Sequence, residues 1–139
     1  MADPKIEMLG RVPLFARCPA TSMELIARLS DEVDVPDGHV LMRQGDLGHE
    51  FFLILDGHVR IERGGTTVNT LGRGDFLGEI ALLAEDRRTA SAISEGPSRL
   101  LVIGRAAFKS LLDVSPEVRS SVMTALVERI RRLEPDAVS

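Results

Sequence analysis

Gly74-Asp-Phe-Leu-Gly-Glu-Ile-Ala-Leu-Leu-Ala-Glu-Asp-Arg-Arg-Thr-Ala-Ser-Ala92 is the stretch from which the rest of the chain can be read. An apolar run, Ile80 to Leu83, is preceded by Gly78-Glu79 and followed by Arg88-Thr89. Leu77-Gly-Glu-Ile-Ala-Leu reads as the opening turn of a helix, whose first N–H groups have no partner within the helix. Such an end attracts anions through its free donors and the positive end of the helix dipole. Gly78 has no Cβ to keep an anion away from the backbone. Arg88 offers a planar fork of donors that fits a phosphate. Glu79 would repel that phosphate and suits instead a hydroxyl a few ångströms away. Arginine, helix end and carboxylate together describe a ligand with one phosphate and one sugar hydroxyl.

This run resembles the phosphate-binding cassette of the cyclic nucleotide-binding domain, found in protein kinase A regulatory subunits, cyclic nucleotide-gated channels and bacterial catabolite activator proteins. The family pattern is an apolar residue, Gly-Glu, then apolar, small and apolar residues, a short loop, and Arg followed by a small or hydroxyl residue and Ala. Leu77-Gly78-Glu79-Ile80-Ala81-Leu82 and Arg88-Thr89-Ala90 fit it throughout. The resemblance implies that Glu79 takes the ribose 2′-hydroxyl and Arg88 the cyclic phosphate. It implies that the amides of Gly78, Glu79, Ile80 and Ala81, with those of Thr89 and Ala90, complete the phosphate cradle. Phe76 and Leu77, which lead into Gly78, belong to the same expected binding set.

An apolar share of 44% and a charged share of 27% over 139 residues suit one soluble domain with a proper core. The net charge of −4 carries no footprint for nucleic acid or an anionic membrane. No segment approaches the ~20 apolar residues of a membrane span, and the N-terminus lacks a signal-peptide core. The single Cys18 excludes an internal disulfide, suits a reducing compartment, and reads as a packed small residue rather than a nucleophile. His39, His49 and His58 are scattered and no Cys/His cluster has metal spacing, so no metal is expected. The expected location is the cytoplasm.

Residues 1–8 read as a frayed end or a short helix. A helix follows over Pro19 to Leu29, with Thr21 or Ser22 as its cap and Met23, Ile26 and Leu29 as its stripe. From Asp31 the period changes to that of strands. Val33 and Val35 alternate, and Pro36-Asp37-Gly38 makes a turn. Val40 to Met42 is a short strand, and Gln44 to Gly48 is a second turn. Phe51 to Leu55 is a continuous apolar run, the mark of a strand buried on both faces. Asp56-Gly57 is a two-residue hairpin signal, Val59 to Arg63 alternates, and Gly64-Gly65 turns the chain before Thr66 to Leu71. After the cassette come strands over Ala90 to Ser94 and Arg99 to Ile103, with a Gly96-Pro97 turn between them. Eight short strands with steady turns predict an antiparallel β-roll of the jelly-roll type. Gly45-Asp46-x-Gly48, Phe51-Phe52-Leu53-Ile54 and Gly57 extend the family resemblance over this stretch.

The helical period returns at Arg105, with a short helix over Ala106 to Leu112. Ser115 caps a second helix that has Pro116 at its first position, Glu117 in its first turn, and an end near Leu133. Val118, Val122, Ala125, Leu126, Ile130 and Leu133 share one face, and Met123 and Val127 widen it to about 200°. A stripe of about 100° suffices for packing on one sheet. The extra width therefore implies a second contact, with a ligand, a second copy or an effector protein. Arg129 falls inside the apolar arc and Arg132 near its edge, which suits stems laid on the core with their heads in water. In resembling proteins the last helix instead folds over the purine as a lid, and the resemblance implies Arg129, Arg132 and Leu133 at the base. No aromatic residue in this helix could stack there.

The expected organisation is a single domain over 1–139: a helical segment of about 5–30, the roll over about 31–104, and C-terminal helices over about 105–134. The expected function is a non-enzymatic sensor of a 3′,5′-cyclic nucleotide, cAMP favoured over cGMP. The alternative is a roll that has lost its ligand and binds a protein. An enzyme of the cupin type would need clustered His that the chain lacks.

Overall fold

The structure is a computed structural model that describes residues 4–12, 14–78 and 87–133, with side chains described as far as residue 128. It divides into two compact units: Leu29–Lys109, and Met1–Arg28 with Ser110–Ser139.

The unit of residues 29–109 is built on antiparallel strands β1 (Asp31–Val35), β2 (Val40–Met42), β3 (Glu50–Arg63), β4 (Thr66–Leu71), β5 (Phe76–Leu77) and β6 (Ser91–Gly104). The sheet order is β1-β6-β3-β4, with β2 paired to β6 and β5 to β3. Phe51 to Leu55 is buried along its whole length, as a continuous apolar run requires. The pleat sends its residues to opposite faces. Phe52 and Ile54 join Val35, Val59, Leu77, Ala92 and Leu100 in one core cluster. Phe51 stacks instead on Phe108 and Phe76, with ring centroids 4.8 and 5.8 Å away.

The strand count differs from eight for a definite reason. Phe51–Leu55 and Val59–Arg63 are not two strands joined by a hairpin at Asp56-Gly57; they are halves of β3. Ala90–Ser94 and Arg99–Ile103 likewise fall largely within β6. The two 14-residue strands pair from Glu50↔Gly104 to Glu62↔Ser91, with irregular register around Asp56 and His58. Gly57, at φ 97°, faces the Gly96-Pro97-Ser98 kink. A Cβ on Gly57 would lie 2.9 Å from the Cα of Ser98 and closer still to its side chain. The glycine signals thus mark opposed kinks that bend a paired ribbon, which is how the sheet becomes a roll. Six strands, two of them kinked, do among the described residues what eight short ones were expected to do.

The second unit holds α1 (Pro4–Gly10), α2 (Ala20–Leu29) up to Arg28, the end of α3 (Arg105–Val114), and α4 (Pro116–Leu133). Ser115 caps α4 as expected, its Oγ accepting from the N–H of Val118 at 3.3 Å. The cap expected for α2 is not formed by Thr21 or Ser22. That helix starts at Ala20, and the carbonyl of Pro19 accepts from the N–H groups of Ser22 and Met23. Ser22 is buried within the first turn, and its hydroxyl meets that of Ser115 at 2.9 Å. Cys18 is buried beside Ser121. Burial pushes its thiol above the ordinary value of 9.0, against a smaller pull from Ser121, so it is a protonated packing group at neutral pH.

Candidate functional site

The expected site residues fall into three groups. Phe76 and Leu77 form β5, buried, paired with Leu53 and Phe52 of β3. Gly78 follows them at φ 94°. Glu79, Ile80 and Ala81 lie outside the described residues. Arg88, Thr89 and Ala90 stand just before β6, with Arg88 and Ala90 buried and Thr89 exposed. Arg129, Arg132 and Leu133 fall on the last turns of α4, but their side chains lie outside those described.

The fold brings the two ends of the cassette together. Arg88 Nη1 donates to the carbonyl of Gly78 at 3.0 Å, across ten residues of sequence. Its Nη2 donates to the carbonyl of Glu50 at 2.6 Å, and its guanidinium carbon stands 6.0 Å from the ring centroid of Phe52. Only 6% of Arg88 is exposed. A bulky, always-charged side chain is buried at such depth only where donors are met and the charge has a purpose or a partner. The face of Phe52 adds an electrostatic attraction of its own.

The arm that carries Arg88 is clipped to the turn before β3. The N–H of Arg88 donates to the carbonyl of Asp46 at 2.7 Å, and its carbonyl accepts from the N–H of Gly45 at 2.9 Å. Arg87 Nη1 donates to the carbonyl of Gly45 at 2.9 Å. Beyond the cassette, Ser91 Oγ accepts from the N–H of Gln44 at 2.9 Å. Arg63 Nε reaches the carbonyl of Thr89 at 3.3 Å. The chemical result is a fixed cation set against a glycine peptide. Burial strengthens its attraction for an arriving anion, because the local dielectric is low.

Gly78 is needed here for a reason the motif alone does not state. A Cβ at this position would lie 2.6 Å from the carbonyl of Glu50 and 2.7 Å from Arg88 Nη1. The Gly45-Asp46 turn also does more than turn the chain, since its backbone holds Arg88. Glu50, Asp46 and Gly45 all act through peptide groups. The Gly45-Asp46-x-Gly48 signature marks the turn, and nothing in the sequence marks the carbonyl of Glu50.

The sequence matches the family model described as the cyclic nucleotide-binding domain over residues 32–115, more than half of the chain. The chain belongs to this family. It is 36% identical over 118 residues to the cGMP-dependent protein kinase, isozyme 1, of Drosophila melanogaster, covering 77% of this chain and 15% of that protein. It is 30% identical over 130 residues to the cAMP-dependent protein kinase regulatory subunit of Pyricularia oryzae, covering 91% and 33%. Among solved structures, the Thermus thermophilus catabolite activator protein superposes with a TM-score of 0.80 at 32% identity, over 91% of this chain and 62% of that one. The chain therefore spans a third or less of the length of these two kinase relatives. The cyclic nucleotide-binding domain is a regulatory module and carries no catalysis itself. Its fold is the antiparallel roll with flanking helices described above. Among the described residues, no helix is long and apolar enough to cross a membrane.

Proposed function

We propose that this domain is a cytoplasmic sensor whose cassette binds one 3′,5′-cyclic nucleotide. The observation that carries the proposal is Arg88: buried, ordered by two carbonyls, and bonded to the Gly78 peptide at the other end of the motif. In this reading Arg88 meets the cyclic phosphate, helped by the amides of Gly78 to Ala81 and of Thr89 and Ala90. Glu79 accepts from the ribose 2′-hydroxyl. Phe76 and Leu77 hold the approach to Gly78 from β5.

The domain is read as favouring cAMP over cGMP. The names of its relatives include both nucleotides, so they support the class and not the base. Thr89, exposed beside Arg88, is the residue whose hydroxyl could reach a guanine amine. The deciding experiment is a thermal-shift series against cAMP, cGMP and the two 5′-monophosphates. A cyclic nucleotide at 100 times its Kd stabilises the fold by about 2.7 kcal/mol. The 5′-monophosphates, with an extra charge, give smaller shifts; equal shifts would sink the proposal. Tenfold tighter binding of cGMP in competition would reverse the base preference.

The output is proposed to run through α4 as a lid, with Arg129, Arg132 and Leu133 over the base. A sensor needs contacts that differ between its two states. Cyclic nucleotide should slow amide exchange both at Gly78–Ala90 and at Leu126–Leu133, and protection at the cassette alone would remove the lid. A second reading, a protein-binding face for a copy or an effector, draws on Met123 and Val127, both exposed on α4. Under it, no nucleotide shifts the melting temperature.

A further inference from the structure

Three consecutive carbonyls just before and at the start of β3 are each held by an arginine. Arg105 Nη2 donates to the carbonyl of Gly48 at 2.6 Å. The backbone N–H of Arg105 donates to the carbonyl of His49 at 2.8 Å. Arg88 Nη2 donates to the carbonyl of Glu50 at 2.6 Å. Arg105 opens α3, and Glu50 is paired in register with its neighbour Gly104. The segment Gly48–Glu50 is thus strung between two guanidinium groups, with Gly48 itself buried.

We propose that Arg105 is a positioning residue for nucleotide binding, acting through Gly48–Glu50 on Arg88. The proposal rests on the reading of Arg88 as the phosphate ligand. Charge-assisted hydrogen bonds of this length are strong and directional, so each fixes the peptide it grips. The far end is tied at two points of one guanidinium, Nη2 to the Glu50 carbonyl at 2.6 Å and Nη1 to the Gly78 carbonyl at 3.0 Å. A shift of a few tenths of an ångström at Glu50 must therefore move Arg88 or break its bond. Arg105 Nε is buried and has no hydrogen-bond partner among the described residues. A fold keeps an unpaired buried donor where some other demand fixes the side chain. The grip on Gly48 is such a demand; a small residue at position 105 would keep only the backbone bond to His49, and a lysine would replace the planar guanidinium with a single ammonium.

The test uses the two phosphorothioate diastereomers of cAMP, each with sulfur in place of one non-bridging phosphate oxygen. A firmly placed guanidinium discriminates between them; a loosely placed one does not. Loss of stability alone weakens both ligands alike and leaves their ratio unchanged. Arg105→Met keeps the apolar stem and removes the side-chain donors. It is expected to lower the diastereomer affinity ratio by about threefold or more, with Arg105→Lys intermediate and Arg88→Ala near unity. A wild-type ratio in Arg105→Met, beside a collapsed one in Arg88→Ala, overturns the inference and spares the phosphate assignment. A silent Arg88→Ala overturns both. Should Arg105→Met not fold, the reciprocal measurement decides, because coupling between sites runs both ways. Arg88→Ala then speeds amide exchange at Arg105, and unchanged exchange there overturns the inference.

Discussion

Arg88 and Arg99 belong to the same roll and meet opposite fates. Arg99 lies in β6, opposite Asp34 of β1, with its side chain 48% exposed. Its Nε donates to Asp34 Oδ1 at 2.9 Å and lies 3.5 Å from Glu32 Oε1. The bond to Asp34, more than any other cause, raises its affinity for its proton. Arg88 is buried just before β6 and points two nitrogens at backbone carbonyls. The carboxylate beside Arg99 offsets its charge, and the carbonyls beside Arg88 orient its guanidinium. The β1–β6 edge thus spends an arginine on pairing strands in water, and the cassette region holds one in a fixed attitude away from water.

The comparison breaks most visibly at Arg88. Arg88→Ala removes the proposed partner of a buried phosphate and is expected to weaken cyclic nucleotide binding by roughly 2–5 kcal/mol, measured by calorimetry. The ligand-free protein stays folded, which circular dichroism checks. Wild-type affinity in this variant would show that burial of Arg88 serves the fold alone.

Gly78→Ala sharpens the comparison by pressing on the cassette side without touching a charge. A left-handed backbone costs an alanine about 1–2 kcal/mol. The approach to the Glu50 carbonyl and Arg88 adds an overpacking cost of about 1–3 kcal/mol. The variant should lose about 2–5 kcal/mol of stability in denaturant titration and bind nucleotide more weakly as well. An unchanged midpoint would mean that Glu50 and Arg88 can move apart freely, and would undercut the argument that this corner is tight.

The cassette was legible because its chemistry is local. Leu77-Gly78-Glu79 and Arg88-Thr89-Ala90 carry the family pattern in their identities, and Phe51 to Leu55 announces a doubly buried strand by composition. Asp56-Gly57 and Gly96-Pro97 read as turns because such a step looks the same in a turn and in a kink. Only the opposed strand decides which one forms. Thr21 or Ser22 reads as a cap because nothing near Ser22 in sequence reveals Ser115, 93 residues away. The grip on Arg88 was illegible for a deeper reason. The carbonyls of Glu50 and Gly78 belong to the backbone, and every residue has one. Sequence reports which side chains are present; register and turn geometry decide which peptides they meet.

Arg99→Ala is the smallest effect and the strictest control. Its partners Asp34 and Glu32 stand on the exposed edge of β1, where solvent and salt screen the pair. The lost attraction is offset in part by the side-chain freedom regained. The three carboxylates near Arg99, those of Asp34, Glu32 and Asp56, then repel one another slightly more. Thermal melts at low salt should place Arg99→Ala just below wild type, and the difference should fade as salt is raised. Nucleotide affinity should not change at either salt concentration. A drop in affinity matching that of Arg88→Ala would mean that the sheet transmits strain from β1 to the cassette. The contrast between an arginine that pairs strands and one proposed to meet a phosphate would then be lost.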